Sequence, residues 1–217
     1  MGLGDTLINI GLVKAIAERE PDCVFFYACL PMYFHSISWA LSGLSNVYPL
    51  VVSSGREARQ YAEFKNATYL PIGINDVDIH RFDEFFYSQH HVPFSLRWEL
   101  AKTPAGLNSK LLFATLNPEN LPYILVCNKD SSGESYQLNL LNESDLLVIN
   151  VHPATNNIYD WMGLVLYAQE IHTIDTAFIH FVENTLYLDT TKKLYFHRIR
   201  KSPTEFTRRL AWQEVLY

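Results

Sequence analysis

Charge is scarce in this chain. Asp, Glu, Lys and Arg make up 18% of its 217 residues, below the quarter or so that is usual for a globular domain. The polar surface must therefore draw on Tyr, Asn, Ser and Thr. That composition suits hydroxyl-rich or planar ligands, although an aromatic-rich core accounts for most of the rings equally well. Cysteine is also scarce. Cys23, Cys29 and Cys127 are an odd count with no CxxC and no Cys/His ligand spacing, which argues against a disulfide framework and a structural zinc. Cys23 and Cys127 sit inside apolar runs and read as buried thiols. No apolar run approaches the roughly 18 residues of a membrane-spanning helix. The N-terminus has no basic stretch ahead of an apolar core, so no signal peptide is read and the cytoplasm is the expected compartment.

Hydrophobic residues make up 48% of the chain, which excludes disorder and fibrous repeats. The length allows one sizeable core or two small lobes sharing a cleft. The net charge of -6 is uneven: from Lys192 to Tyr217 there are seven Lys or Arg against two Glu. An acidic chain is a poor candidate for sequence-blind nucleic-acid binding, which depends on neutralising phosphates. The basic C-terminal segment can contact an anionic surface or substrate, or be compensated by the acidic body of its own protein.

Elements alternate along the chain. Residues 7–18 carry a broad apolar stripe that predicts a buried helix ended by Pro21. Residues 23–28 read as a buried strand, 32–41 as a helix stopped near Gly43, and 47–52 as a strand pushed to a sheet edge by Pro49. Residues 68–72 read as another strand and 78–92 as a helix. After a stretch at 102–122 richer in Pro, Asn, Gly and Thr, read as a linker near 117–121, the habit resumes. Strands are predicted at 123–127, 146–151, 171–174 and 194–199, and helices at 158–170, 178–186 and 204–216. The pattern predicts an α/β fold with parallel sheet. The expected divisions are an N-terminal lobe over 1–116, a C-terminal lobe over 122–203, and a final helix over 204–217 packing back on the first lobe.

Met1 runs directly into Gly2-Leu3-Gly4-Asp5-Thr6 and a helix. A glycine-rich turn opening a helix normally follows a strand, so the expectation is a start late by several residues rather than a sheet without that strand. Gly2 and Gly4 permit positive φ and close approach of a ligand, and with Thr6 they form a candidate phosphate or acceptor loop ahead of free helix N–H groups. The third glycine of the dinucleotide fingerprint and the Gly-Lys-Ser/Thr of a P-loop are both missing. Asp5 is either a plain helix cap or a carboxylate at the mouth of a cleft, able to take a proton from a hydroxyl.

Three further clusters carry chemistry. Asp175 and Thr176 end a strand and open a helix, at the edge where α/β folds bind ligands, with His180 about one turn in. Capping plus a packed histidine is the plainer account of them. Lys129, Ser131 and Ser132 follow the strand ending at Cys127, in a turn suited to a diphosphate. Arg97 and Trp98 offer a guanidinium and an indole to an acceptor, against the plainer alternative of a buried Trp98 beside a salt-bridged Arg97.

The Gly-x-Gly-Asp turn at residues 2–5 and the Asp-Thr-x-x-x-His segment at 175–180 resemble the ADP-heptose:lipopolysaccharide heptosyltransferases. The resemblance implies a reduced glycosyltransferase-B fold, two Rossmann-like lobes facing across a cleft. It implies Asp5 as the base, and Asp175 and Thr176 at the diphosphate of a nucleotide-sugar donor. Lys129, Ser131 and Ser132 match that family's hydroxyl and lysine loop only in character. The chain is shorter than the family's members, lacks the Gly-Pro after the histidine helix, and has Phe178 where a small residue is usual, so heptose and lipopolysaccharide do not carry over. The expected activity is a metal-independent, cofactor-free, inverting transfer of a sugar to an acceptor hydroxyl. The alternatives are a non-catalytic nucleotide- or carbohydrate-binding module of the same descent and a nucleotide-sugar epimerase or hydrolase.

Overall fold

A computed structural model describes residues 2–73, 80–140, 146–187, 191–199 and 205–217. The chain divides into two compact units, Met1–Ala101 with Thr204–Thr207, and Lys102–Pro203 with Arg208–Tyr217. The division falls at Ala101–Lys102, ahead of the 117–121 stretch whose composition suggested a linker.

In the first unit, helix α1 (Leu3–Arg19) is buried almost all round from Thr6 to Val13, as expected of a helix apolar on every side. Ile8, Leu12 and Ile16 pack on Phe82, Phe86, Tyr87 and Val92. The Tyr87 hydroxyl donates to the Ile8 carbonyl at 2.8 Å and accepts the Leu12 N–H at 3.0 Å. One phenol thus bridges the two ends of an i→i−4 step of the helix, an insertion of the kind that bends helices. Burial holds the Tyr87 hydroxyl protonated far above the usual phenol range. At Gly11 beside it, a Cβ would lie 2.3 Å from the Leu96 carbonyl oxygen. Glycine is needed there for close packing, not for an unusual dihedral angle.

Strands β1 (Phe25–Cys29) and β2 (Val47–Val51) pair in parallel, Phe25 against Val47 and Cys29 against Val51. A 3-10 turn at Pro31–Tyr33 leads into α2 (Phe34–Leu41). Cys23 is exposed, against expectation, because β1 begins two residues later and Cys23 sits in the turn after α1. Helix α3 (Gly55–Phe64) was not expected: it buries only Ala58, although Ala58, Tyr61 and Ala62 recur at helical spacing. A second sequence signal is Ser54 ahead of Glu57: the Ser54 hydroxyl caps the helix by accepting the Glu57 N–H, and Glu57 reaches back past the N-cap to accept the Ser53 N–H. Residues 68–72 form no strand and are largely exposed. The helix expected over 78–92 is shorter, α4 (Phe82–Ser88), with 78–79 outside the described residues, and α5 (Leu96–Glu99) follows.

The second unit is built on one parallel sheet in the order β4-β3-β5-β6-β7. Its strands are β3 (Tyr123–Cys127), β4 (Leu147–Asn150), β5 (Glu170–Thr173), β6 (Lys193–Arg198) and β7 (Trp212–Leu216). Strand β3 is buried at all five positions, which is why it reads as a continuous apolar run. The helices are α6 (Ser109–Leu116), α7 (Met162–Tyr167), entered through a 3-10 turn at Ile158–Trp161, and α8 (Ala177–Thr185). Helix α6 lies inside the 102–122 stretch, just ahead of the 117–121 segment read as a linker. Its start is fixed from a distance: the buried Asp160 carboxylate accepts the Asn108 N–H at 3.0 Å, and the Ser109 hydroxyl accepts the Gly163 N–H at 3.1 Å.

The final helix expected over 204–217 is absent, and β7 stands in its place. The deciding partners are remote in sequence. The buried Glu183 carboxylate accepts the Arg209 and Leu210 N–H groups and the Trp212 indole N–H, which holds this stretch extended. The chain then pairs with β6, Leu194 against Trp212. Part of the basic segment is compensated internally, since Arg198 and Arg208 both pair with Glu214.

Candidate functional site

In its own strand numbering, the sheet of the second unit runs 2-1-3-4-5. In such a sheet, successive connections leave in opposite directions from the first and third strands, and ligands bind at the crevice beyond their carboxyl ends. Those strands here are β3 and β5. Strand β3 delivers Asn128 and Lys129 to that edge, and β5 delivers Ile174, Asp175 and Thr176. The two ends touch: the Ile174 N–H donates to the Cys127 carbonyl at 3.2 Å, and Cys127 Sγ lies 3.6 Å from the Thr176 hydroxyl. Burial is the main reason the Cys127 thiol is pushed up. Two segments 49 residues apart, singled out separately in the sequence, thus share one site.

Thr176 is the N-cap of α8, its hydroxyl accepting the Phe178 N–H at 3.2 Å. The Ile179 N–H donates to the Thr176 carbonyl at 3.3 Å, which leaves the Ala177 N–H and the positive end of a nine-residue helix at the crevice. Asp175 is half-buried beside them, and His180 is buried within the helix at 5% exposure.

The loop after β3 is a hairpin organised by a residue the sequence reading passed over. One oxygen of the Asp130 carboxylate accepts the Ser132 N–H at 2.8 Å, the Ser132 hydroxyl at 2.6 Å and the Glu134 N–H at 3.1 Å; the other accepts the Tyr136 hydroxyl at 3.2 Å. These bonds, the Ser132 hydroxyl first, hold Asp130 below the usual carboxylate range. Gly133 closes the turn at φ 88°, a left-handed position that glycine alone takes at no steric cost. Both donors of Ser132 are therefore spent on the loop itself. Lys129 and Ser131 are exposed at its surface. The signal in the sequence was an aspartate leading a Ser-Ser-Gly turn, a residue type that bonds the backbone two positions on.

In the first unit, Leu3 already opens α1, so Gly4 lies inside the helix, and Gly2 at φ -76° uses no glycine-only conformation. Asp5 is the third helical residue, and its carboxylate accepts the Gly2 N–H at 3.0 Å. The buried Thr6 hydroxyl donates to the Gly2 carbonyl at 3.1 Å and also bonds Tyr27, whose phenol burial pushes up to about 12. Arg97 and Trp98, expected at an acceptor, are core residues. Arg97 is fully buried, paired with Asp83 and packed over the Trp98 ring at 5.0 Å. Its guanidinium also donates to the Thr207 carbonyl at 3.2 Å, while the Thr207 N–H donates to Asp83 at 2.8 Å.

Among the described residues no group of three His, Cys, Asp or Glu side chains is placed to hold a metal ion. The metal-free expectation passed over Asp76-Val77-Asp78, two carboxylates one residue apart, which lies outside the described residues. No described helix is long and apolar enough to cross a membrane.

No family model and no curated protein matches this chain. Solved structures do. The crystal structure of a glycosyl transferase of family 9 from Veillonella parvula matches over 100% of this chain and 84% of its own, with a TM-score of 0.55 at 9% identity. The Escherichia coli heptosyltransferase WaaC, solved with ADP-2-deoxy-2-fluoro heptose, matches over 100% of this chain and 90% of its own, with a TM-score of 0.47 at 10% identity. The fold is α/β with parallel sheets and is similar to that of the family 9 glycosyltransferase.

Proposed function

We propose that this protein is a glycosyltransferase that moves a sugar from a nucleotide-sugar donor to an acceptor hydroxyl, with inversion and without a metal ion. The observation that carries the reading is the contact of Cys127 with Thr176. It brings the Lys129 loop and the Asp175–α8 turn to one switch-point crevice, on a fold similar to a family 9 glycosyltransferase. In this reading the two units are reduced Rossmann-like lobes of glycosyltransferase-B type, the first serving the acceptor and the second the donor.

Lys129, Ser131 and the first N–H of α8, that of Ala177, hold the diphosphate, the helix end contributing a favourable field for negative charge. Asp175 accepts from donor hydroxyls, and His180 supports the turn from within α8. Asp5 takes the proton of the acceptor hydroxyl as its oxygen attacks the anomeric carbon. The bond from that carbon to the diphosphate breaks, and the nucleoside diphosphate leaves with its charge spread over the same donors.

A second reading, a nucleotide- or carbohydrate-binding module without transfer, is favoured by one observation: the Asp5 carboxylate is already engaged by the Gly2 N–H. Incubation with a panel of nucleotide sugars and acceptors, read by mass spectrometry, decides between them. Transfer yields a glycosylated acceptor with a free nucleoside diphosphate. Binding without any product supports the module, and a free sugar or an isomerised donor overturns both.

A further inference from the structure

The segment at 117–121, read as a linker, builds one wall of a cavity that the proposed transfer does not use. The cavity measures about 450 Å³ and is framed by Phe113, Asn120, Leu121, Tyr123, Tyr167 and Gln169, within the range of small-ligand sites. It opens at the amino edge of the second unit's sheet, where the Gln169 N–H donates to the Tyr123 carbonyl at 3.0 Å just ahead of β5. Tyr123 and Cys127 are four strand steps apart, about 13 Å. The cavity and the crevice at the carboxyl ends of β3 and β5 are therefore separate places on one sheet.

Its walls are held from behind. Asn117 is 2% exposed. Its side chain accepts the Leu121 N–H at 2.9 Å and donates to the Leu121 carbonyl at 2.8 Å, and its own carbonyl accepts the Asn120 N–H at 3.1 Å. These bonds close the turn that carries Asn120 at φ 51°. The Tyr123 hydroxyl donates to the Leu164 carbonyl at 2.6 Å, which fixes that ring against α7. Phe113 on α6 stands edge-on to Tyr123 at 6.1 Å and to Tyr167 at 5.8 Å. Tyr167, the last residue of α7, is 71% exposed, so most of its ring is left uncovered beside a braced wall.

The lining combines three aromatic rings with two primary amides. The side chains of Asn120 and Gln169 make no hydrogen bond to the protein among the described residues, and each offers two donors and an acceptor oxygen. Among the described residues no Lys, Arg, His, Asp or Glu lines the cavity, so an anion gains no charge-assisted bond there. An alkyl chain would cover the rings and leave both amides idle. A neutral pyranose uses both kinds of group: its C–H face lies on a ring, and its hydroxyls, donors and acceptors at once, meet the amides. We propose that this cavity binds a neutral sugar unit of a glycan, with Tyr167 as the stacking platform and Asn120 and Gln169 as the hydroxyl-bonding groups. The site stands on its lining and not on the glycosyltransferase reading.

NMR titration of the full chain with cellotriose, maltotriose and triacetylchitotriose tests the proposal, followed at the side-chain amide signals of Asn120 and Gln169. Both signals are expected to shift with at least one of these sugars. Tyr167→Ala removes an exposed ring; it is expected to keep the thermal midpoint and to weaken that sugar about tenfold. Gln169→Leu keeps the length of the side chain without its hydrogen bonds and is expected to weaken it roughly fivefold. Shifts at Asn128 and Thr176 with none at Asn120 and Gln169 would place the sugar in the crevice and overturn the proposal. Silence of both amides with all of the sugars, full affinity in both variants, or a stronger response to hexanol or ADP than to any sugar overturns it as well.

Discussion

Cys127 Sγ and the Thr176 hydroxyl meet at 3.6 Å across two neighbouring strand ends. The contact has a topological origin. Strands β3 and β5 are adjacent in space because β4 crosses to the other side of β3, so the segments following them emerge side by side. A buried thiol with a raised pKa remains an S–H there, a compact apolar wall against a hydroxyl that already caps a helix.

Thr176→Val removes that cap without changing the side chain's volume much. Loss of a capping hydroxyl costs about 0.5–2 kcal/mol, which urea denaturation will read as a lower midpoint. If the crevice holds a nucleotide sugar, its affinity is expected to fall by roughly 1–3 kcal/mol as a buried donor or acceptor is lost. Calorimetry showing an unchanged affinity alongside the stability loss would leave Thr176 a cap and nothing more.

Asp5→Asn keeps the shape of a residue that accepts the Gly2 N–H, so stability is expected to change little. Turnover with an identified acceptor is expected to drop on the order of 10²–10⁴-fold, the usual weight of a general base, with donor affinity preserved. Full turnover in the variant would assign Asp5 to the helix start alone.

Arg97→Met strips Asp83 of its buried partner. An uncompensated buried charge costs about 3–5 kcal/mol, so a large fall in the unfolding midpoint is expected. The double variant Asp83→Leu/Arg97→Met removes the charge as well as the partner. It is expected to recover most of that loss, and thermal denaturation of the set is the check. A single variant as stable as the wild type would contradict the burial of the pair.

The hairpin after β3 is expected to withstand acid. Asp130 is held ionised by the Ser132 and Tyr136 hydroxyls and two backbone N–H groups. A lowered carboxylate contributes order that is present above the ordinary aspartate range and is lost only as pH falls through its own lower value. Ser132 and Glu134 amide shifts followed by NMR are expected to titrate below about 3.9, the ordinary aspartate value. Asp130→Ala is expected to disorder the turn at neutral pH and to weaken donor binding through Lys129 and Ser131.

Much of the second unit was legible residue by residue. The uninterrupted run from Tyr123 to Cys127 reads as a fully buried strand and forms one, because a strand covered on both faces needs no polar alternation. The Asp175-Thr176 pair reads as a strand end becoming a helix start, which it is. Helix α3 was missed although Ser54 ahead of Glu57 and the helical spacing of Ala58, Tyr61 and Ala62 both signal it; the stripe is short and only Ala58 of it is buried. The β7 segment was misread because its residues also fit helical spacing. Extended backbone prevails there because Glu183 and β6 supply its hydrogen bonds from elsewhere in the chain.

Sequence alone determined the alternation of elements, the α/β class with parallel strands, and the two segments, at 128–132 and 175–180, where polar groups follow apolar strands. These are local properties, set by periodicity, breakers and turn-forming side chains within a few residues of each other. Tertiary structure alone decided which strands are neighbours, and hence that those two segments share a crevice. It also decided that Arg97 serves a buried carboxylate instead of a ligand, that Ser132 is spent on Asp130, and that His172 and His197, 25 residues apart, meet at 3.0 Å with the Tyr217 hydroxyl at the other ring nitrogen of His197. The physical reason is the same in each case. A polar group's role depends on which donor or acceptor burial places within about 3 Å of it, and that partner is chosen by strand order and register, not by spacing along the chain.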